Sequence, residues 1–182
     1  AGGNNGAGTD TETGYSVSLS NGNGTGLRVA VGTPKWWPAS DGSKWNSGSI
    51  AIYEWDGSSW IQIGDRITSG QNGWQIGREI CISEDGNRVV TLSWYFNLHS
   101  SLTDGGYMYI YDWNGTEWVN LTNSNEQYSI SLYKPYYVQS HSLTMDSRGT
   151  LVLLGESSYY QERFSNGGYP VDGRISTYEI YP

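Results

Sequence analysis

Aromatic residues cluster in three stretches of this sequence that lie between short apolar segments. The clustered residues are Trp36, Trp37 and Trp45, then Trp94 and Tyr95, then Tyr159 and Tyr160. Exposed aromatic rings beside polar groups suit sugar rings or protein partners, because the flat ring stacks while its surroundings supply hydrogen bonds. We therefore take these seven residues as the candidate ligand-binding residues.

A second interpretation of the same rings stays open. Long loops that carry their own aromatic residues often pack those residues against the protein body, so the rings are equally compatible with a satellite core. The two interpretations differ in their consequence. Removal of a binding ring abolishes ligand retention, whereas removal of a buried Trp costs about 3–5 kcal/mol of stability.

Residues that carry catalysis or bind metals show no recognisable pattern. The two histidines, His99 and His141, lie far apart and in no motif for zinc or for nucleophilic catalysis. Asp56, Asp85 and Asp146 stand in Gly-, Ser- and Asn-rich contexts that are typical of turns. We predict no catalytic residue, no cofactor and no metal, and hence no enzyme. A hydrolase that uses a pair of carboxylates is the least favoured alternative.

Composition indicates an all-β protein with an acidic surface. The 182 residues include 25 Gly, 15 Tyr and 9 Trp but 2 Phe, and aromatic residues between Gly- and Asn-rich turns are typical of strands. The net charge of −8 argues against a nucleic-acid partner, which needs clustered Lys and Arg. No apolar run reaches membrane-spanning length, so we expect no membrane insertion.

Two hairpins with matching sequences are predicted, one around Asp56-Gly57 and one around Asn114-Gly115. Both dipeptides favour two-residue type I′ turns, since they tolerate positive φ. That turn fixes the register by arithmetic. The predicted cross-strand partners are Tyr53 with Trp60, Ile52 with Ile61, Tyr111 with Trp118, Ile110 with Val119 and Met108 with Leu121.

The hairpins belong to a longer repeat of about 60 residues. Each unit has four strands, A to D, with tight A–B and C–D turns and a long B–C loop. We predict a flexible Gly-rich tail at 1–13 and units at 14–67, 68–125 and 126–182, the third without strand D. The aromatic clusters fall in the predicted B–C loops, 33–49, 93–105 and 156–172. Four short antiparallel strands per unit predict the blades of a β-propeller.

The first unit resembles the FG-GAP repeat of integrin-α-like β-propellers. Gly14, Ser16, Val17, Gly32 and Pro34 fit that repeat. The resemblance implies a propeller that is commonly extracellular and adhesive. Calcium-binding members carry several carboxylates in the A–B loop. Here residues 21–25 have none and the loop at 84–87 is too short, so we expect no calcium.

Three glycosylation sequons and a single cysteine bear on the compartment. The sequons begin at Asn23, Asn114 and Asn120 and favour an extracellular or cell-surface location. Cys81 stands between two isoleucines, so we expect a buried, inert thiol. The chain begins at Ala1, which favours a processed or excised segment.

Strand C of the third unit, from Arg174 to Ile180, has no predicted strand D beside it. Bare edges invite uncontrolled pairing, so we expect another chain to cover this edge, in a homo-oligomer or a filament. The function predicted from the sequence is a non-enzymatic structural or adhesive binding module. The alternative is a lectin-like carbohydrate binder that uses the aromatic loops.

Overall fold

The computed structural model describes residues 12–22, 26–38, 45–95, 105–122, 130–132, 140–159 and 172–180. Every regular element in these ranges is a β-strand, and all strand pairs are antiparallel. The prediction of an all-β protein is therefore confirmed. The strands form three sheets, called sheets 1, 2 and 3 in chain order. The described residues contain no closed ring of sheets.

Sheet 1 has four strands in sequential order and a fifth at its edge. The strands are β1 (Val17–Leu19), β2 (Arg28–Thr33), β3 (Ser49–Trp55), β4 (Trp60–Gln62) and β5 (Ile67–Thr68). Both β4 and β5 pair with β3. Since β2 occupies the other side of β3, β4 and β5 form one interrupted edge strand.

Sheet 2 repeats this arrangement, and sheet 3 repeats its first three strands. Sheet 2 contains β6 (Glu79–Ile82), β7 (Arg88–Tyr95), β8 (Gly105–Trp113), β9 (Trp118–Asn120) and β10 (Ile130–Leu132). Sheet 3 contains β11 (Ser140–Met145), β12 (Leu151–Tyr159) and β13 (Asp172–Glu179). Here β9 and β10 share the edge of β8, as β4 and β5 share that of β3.

The predicted hairpin register is wrong by two residues in both copies. Trp55 pairs with Trp60 and Trp113 with Trp118, so four residues rather than two form each loop. The cause is a side chain: Asp56 Oδ1 accepts hydrogen bonds from the backbone N–H groups of Ser58 and Ser59, at 2.7 and 2.8 Å.

Asn114 closes the second loop in the same way, with Thr116 and Glu117 as donors, both at 2.9 Å. This local hydrogen bonding is characteristic of Asp and Asn in turns. A shift of two residues leaves every side chain on its predicted face.

Two of the predicted B–C loops are shorter than expected. Strand β7 runs through Trp94 to Tyr95, and β12 runs through Glu156 to Tyr159. Trp94 and Tyr95 pair with Gly106 and Gly105 of β8. Pairing therefore continues into residues that the sequence placed in loops.

Apolar side chains fill the two spaces between consecutive sheets. The cluster between sheets 1 and 2 is Ala30, Ile50, Ile52, Ile67, Ile76, Ile80, Ile82, Val89 and Tyr111. The cluster between sheets 2 and 3 is Cys81, Val90, Leu92, Met108, Ile110, Val152, Leu154 and Ile180. Sheet 2 is thus buried on both faces, which explains the apolar runs in β6 and β7.

An arginine at the start of the second strand links each of the first two sheets to the next. Arg28 Nε lies 2.8 Å from Glu54 Oε2 on the paired strand β3. Its Nη1 reaches sheet 2, where it donates to Gly86 O at 3.2 Å and to Asn87 Oδ1 at 2.7 Å. The Arg28 side chain is 7% exposed.

Arg88 makes the equivalent contacts between sheets 2 and 3. Its Nε and Nη2 donate to the two oxygens of Asp112 at 2.6 and 2.7 Å, and its Nη1 donates to Gly149 O at 2.8 Å. Two-point contact with a carboxylate suits the planar guanidinium. In sheet 3 the corresponding pair is Leu151 and Glu179, so the arginine is replaced.

We predict that Asp112→Ala destabilises the protein by about 2 kcal/mol, because it removes the carboxylate that accepts two hydrogen bonds from the partly buried guanidinium of Arg88. Asp65→Ala, at an exposed position, is the matched control and should change the free energy of unfolding by less than about 0.5 kcal/mol. Urea denaturation measures both. The double variant Arg88→Met, Asp112→Ala should recover part of the loss, and an Asp112→Ala variant as stable as the control would contradict the role of this ion pair.

Candidate functional site

The loop that follows β2 and the segment 69–78 that joins sheet 1 to sheet 2 lie together at one end of the sheets. We call this region the aromatic rim. The loop and the segment contribute Trp36, Trp37, Trp45, Trp74 and Arg78 to this rim. Tyr15, Arg66 and Tyr107, which contact these residues or the segment, complete it. Its geometry follows from backbone contacts, ring contacts and cation–π pairs, which we take in turn.

Both backbone polar groups of Trp36, its N–H and its carbonyl, make hydrogen bonds. Its N–H donates to Thr33 O at 3.1 Å, and its carbonyl accepts from the N–H of Gly48 at 2.9 Å. The hydroxyl of Ser47 donates to the same carbonyl at 3.2 Å. Trp36 therefore sits in a closed loop that leaves the end of β2 and returns to the start of β3.

The joining segment fastens the other side of this loop. Gly73 N–H donates to Trp45 O at 2.8 Å, and Gln75 N–H donates to Asn46 O at 3.0 Å. Gly48 then forms a parallel bridge with Ile76. A Cβ on Gly48 would lie 2.3 Å from Ile76 O, and its φ is +77°, so only glycine fits there.

Two arginines lie over rim aromatics. The guanidinium of Arg66 is 5.7 Å from the ring centroid of Trp36 and donates to Ser49 Oγ at 3.1 Å. That of Arg78 is 5.3 Å from the ring of Tyr15 and donates to its hydroxyl at 3.2 Å. Both distances are within the range of a cation–π interaction. Two guanidinium groups therefore lie over rim aromatics on a chain whose net charge is −8.

Trp74 begins a ladder of rings that runs inward along β8. It stacks on Tyr107 with centroids 5.1 Å apart and planes 11° apart. Tyr109 and Tyr111 follow, each 6.4 Å from the ring before it. Burial, with a smaller contribution from Tyr107, raises the pKa of Tyr109 to about 12, and burial also raises the pKa of Tyr111. Both phenols stay protonated at neutral pH, so this ladder serves packing.

The seven predicted binding residues separate into three groups. Trp45 is half-exposed and Trp36 and Trp37 are partly buried, so both binding and packing describe this first cluster. Trp94, Tyr95 and Tyr159 belong to strands rather than loops, and their side chains lie outside the described part of the structure. Tyr160 lies outside it entirely. Within the described residues, Trp36, Trp37 and Trp45 lie in one loop between β2 and β3.

Sequence reasoning missed Tyr15, Arg66, Trp74, Arg78 and Tyr107. Trp74 and Arg78 come from the start of the second predicted unit, before its first strand, where no repeated pattern drew attention to them. Tyr15 and Arg78 are 63 residues apart, so only the packing of sheet 1 on sheet 2 brings them together. A signal was present in the Trp of an otherwise polar, Gly-rich joining segment.

The carboxylates singled out from the sequence serve turns, as predicted. Donation from the backbone N–H groups of Ser59 and Ser58 lowers the pKa of Asp56 to about 2. Asp85 accepts from Asn87 N–H at 3.0 Å, and Asp146 accepts from Leu151 N–H at 2.7 Å. In the described ranges, no group of three or more His, Cys, Asp or Glu is placed to hold a metal ion. His99 and the side chain of His141 lie outside those ranges.

The single cysteine is buried between sheets 2 and 3, as expected. Burial raises the pKa of the Cys81 thiol to about 12, so its reactive thiolate form is scarce at neutral pH. In the part of the chain that the structure describes, we find no helix with the length and apolar character needed to span a bilayer.

The two sequons within the described residues differ in their surroundings. Asn114 is exposed at the tip of its hairpin, and its Oδ1 accepts from Thr116 Oγ1 at 2.9 Å. Asn120 is partly buried, with its Nδ2 donating to the Tyr111 hydroxyl at 3.3 Å. Attachment of a sugar at Asn120 would disturb that contact. Asn23 lies outside the described residues.

We predict that secretion through a glycosylating host modifies Asn114 but leaves Asn120 unmodified in the folded protein. Mass spectrometry of glycopeptides measures the occupancy of each site. Asn114→Gln should remove the modification, whereas Asn120→Gln should leave the total mass of attached sugar unchanged. Full occupancy of Asn120 would contradict the partly buried position of its amide.

Comparison with known proteins identifies no relative: no protein-family model matches the sequence, and a search of characterised proteins finds no significant match.

Proposed function

We propose that this chain is a non-enzymatic, extracellular structural or adhesive binding module, built from propeller-type repeats and part of a larger assembly. The observation that carries the proposal is the aromatic rim. Half-exposed Tyr15 and Trp45, partly buried Trp36 and Trp37, and two arginines share one end of the sheets. Aromatic and arginine residues are enriched at protein interfaces.

The order of contacts between the sheets supports propeller-type repeats. The first strands of consecutive sheets contact each other, β1 with β6 and β6 with β11. In a propeller, short first strands surround the central channel and each blade packs face to face on the next. The recurring arginine contacts at Arg28 and Arg88 add a second repeated feature. Both observations agree with the resemblance to FG-GAP repeats.

The extracellular location rests on residues rather than on the fold. Asn114 presents an exposed sequon at a hairpin tip, and such acceptor sites are used in secreted proteins.

The proposal that the chain is not an enzyme rests on the turn carboxylates. Asp56, Asp85 and Asp146 each cap their own turn, which leaves a hydrolase the least favoured alternative.

A lectin-like carbohydrate binder is the second candidate function. Trp45 is half-exposed, and the exposed polar residues Gln71 and Asn72 precede Gly73, whose N–H donates to Trp45 O at 2.8 Å. A flat indole with nearby hydrogen-bonding groups is the arrangement that stacks on a pyranose ring. The ligand would then be a glycan instead of a protein surface.

A binding panel distinguishes these functions. The full chain is tested on immobilised fibronectin, laminin and collagen and on a glycan array. We predict retention on at least one matrix protein, and a loss of at least about tenfold in affinity for Trp45→Ser and Tyr15→Ser, since interface aromatic residues often contribute more than about 1 kcal/mol.

Trp74→Ala is the comparison variant for a packing ring. Because Trp74 stacks on Tyr107, its removal should lower the stability of the protein. Thermal unfolding should stay nearly unchanged for the two serine variants and fall for Trp74→Ala. Retention on glycans alone, lost in Trp45→Ser, would favour the lectin. No retention on any surface would contradict both functions.

We also propose that a strand from another chain, or from sequence beyond the described residues, covers the free edge of β13. In the described residues β13 pairs with β12 alone. Ile180 N–H donates toward the β12 side, to Thr150 O at 2.7 Å. Because amides alternate along a strand, those of Ile175 and Thr177 point to the free edge.

We predict that the Ile175 and Thr177 amides exchange slowly with solvent at high protein concentration and faster on dilution. Hydrogen exchange with residue resolution measures this. The Thr91 amide, inside sheet 2, is the internal reference and should be slow at every concentration. Fast exchange of the two edge amides at all concentrations would refute the covered edge.

A further inference from the structure

Sheet 1 covers a pair of tryptophans on sheet 2. Trp113 and Trp118 lie with centroids 5.3 Å apart and planes tilted by 46°. Trp118 Nε1 donates to Ile63 O of sheet 1 at 3.2 Å. A Cβ on Gly64 would lie 2.7 Å from the Trp113 ring, so the backbone of sheet 1 approaches the pair as closely as glycine allows.

Sheet 1 carries the same pair on its own opposite face. Trp55 and Trp60 lie 5.5 Å apart and are tilted by 57°. The register places them where sheet 2 has Trp113 and Trp118. Within the described residues, however, nothing comparable covers them, and they are 38% and 42% exposed.

Two other apolar residues on that face are also exposed, although their counterparts in sheet 2 are buried. Val17 and Leu19 of β1 occupy the positions of Ile80 and Ile82 of β6. The isoleucines are buried against sheet 1, whereas Val17 and Leu19 are 58% and 59% exposed. The free face of sheet 1, which comprises Val17, Leu19, Tyr53, Trp55 and Trp60, thus has the composition of a sheet-to-sheet interface. Exposed apolar patches of this kind mark interaction surfaces.

Sheet 3 presents the complementary face at the other end. Its outward side chains include Leu153 and Ile175, which occupy the positions of Val90 and Met108 in sheet 2. Val90 and Met108 are buried against sheet 3, but Ile175 is 79% exposed. Leu153 and Ile175 are therefore exposed apolar side chains at positions that sheet 2 buries, and they share the outward face with Ser142, Thr144, Thr177 and Glu179.

We propose that the free face of sheet 1 binds the outward face of sheet 3 of a second copy of this chain. The contact continues, between molecules, the interfaces that sheet 1 makes with sheet 2 and sheet 2 makes with sheet 3. Because the two faces differ, the association is head-to-tail, which closes into a ring or extends as a fibre. The inference deepens the assembly in the proposed function, but it uses sheet faces rather than the edge of β13 or the aromatic rim.

Pairing of two sheet 1 faces is the main competing arrangement. It would bring Trp55 and Trp60 against their own copies and leave sheet 3 free. Head-to-tail contact is favoured because it repeats an observed geometry and buries Ile175 as well. The two arrangements differ in which variants remain associated, which makes them separable.

The test uses the full chain and two single variants, Trp60→Glu on the sheet 1 face and Ile175→Glu on the sheet 3 face. Both positions are exposed, so folding should persist, and circular dichroism checks this. Sedimentation velocity over a range of concentrations measures association. We expect the unmodified chain to associate and each variant to remain a monomer, with affinity at least about 100-fold weaker because a charge is placed in an apolar interface.

A mixture of the two variants is the decisive sample. Trp60→Glu keeps an intact sheet 3 face and Ile175→Glu an intact sheet 1 face, so together they should form a 1:1 heterodimer that grows no further. Trp45→Glu, an equally exposed tryptophan at the aromatic rim, is the matched control and should associate as the unmodified chain does. It should lose matrix or glycan binding instead, which separates a failure of this inference from a failure of the proposed function.

Three results would overturn the inference. They are a monomeric unmodified chain at every concentration, an Ile175→Glu variant that still dimerises through paired sheet 1 faces, and a variant mixture that stays monomeric.

Discussion

The stacking of the sheets depends on one repeated interaction. An arginine in each of the first two sheets donates hydrogen bonds to the next sheet. Arg28 and Arg88 each neutralise a carboxylate on the adjacent strand and donate to a glycine carbonyl one sheet further on. A buried guanidinium is costly unless its charge and its N–H groups are satisfied. The side chain meets that condition only when two strands and the following turn are all in place. It therefore links pairing within a sheet to packing between sheets.

The same contacts place a second requirement on two glycines in tight turns. A Cβ on Gly86 would lie 2.8 Å from Arg28 Cδ, and one on Gly149 would lie 3.1 Å from Arg88 Cδ. Both glycines also have positive φ, +74° and +71°, which suits the tight turn. Each residue thus answers two requirements, the conformation of its own turn and the approach of an arginine from the preceding sheet.

The sequence predicted strands A to D, the side-chain faces and the repetition of the hairpins, because those depend on alternation over a few residues, but it did not predict the short edge strands β5 and β10. It predicted the hairpin register wrongly because Asp56 and Asn114 extend the turns through their side chains. Of the aromatic rim, the sequence analysis named Trp36, Trp37 and Trp45 as candidate binding residues but did not name its arginines or Trp74. Those contacts join residues dozens of positions apart, and no local pattern encodes them. Whether the sheets are propeller blades depends on how the sheets are arranged around one another. The alternation of apolar and polar residues along a strand does not predict that arrangement.

The aromatic rim owes its shape to the packing beneath it more than to its own loop. A Cβ on Gly32 would lie 2.0 Å from Gly77 O, so the chain enters sheet 2 in direct contact with the end of β2. This close approach fixes where the joining segment 69–78 must run, and the segment in turn fastens Trp45 and carries Arg78 to Tyr15. Trp74 of this segment stacks on Tyr107 and belongs to the scaffold, whereas Trp45 and Tyr15 are half-exposed. Packing and the proposed binding are therefore compatible within one rim, because they are assigned to different rings.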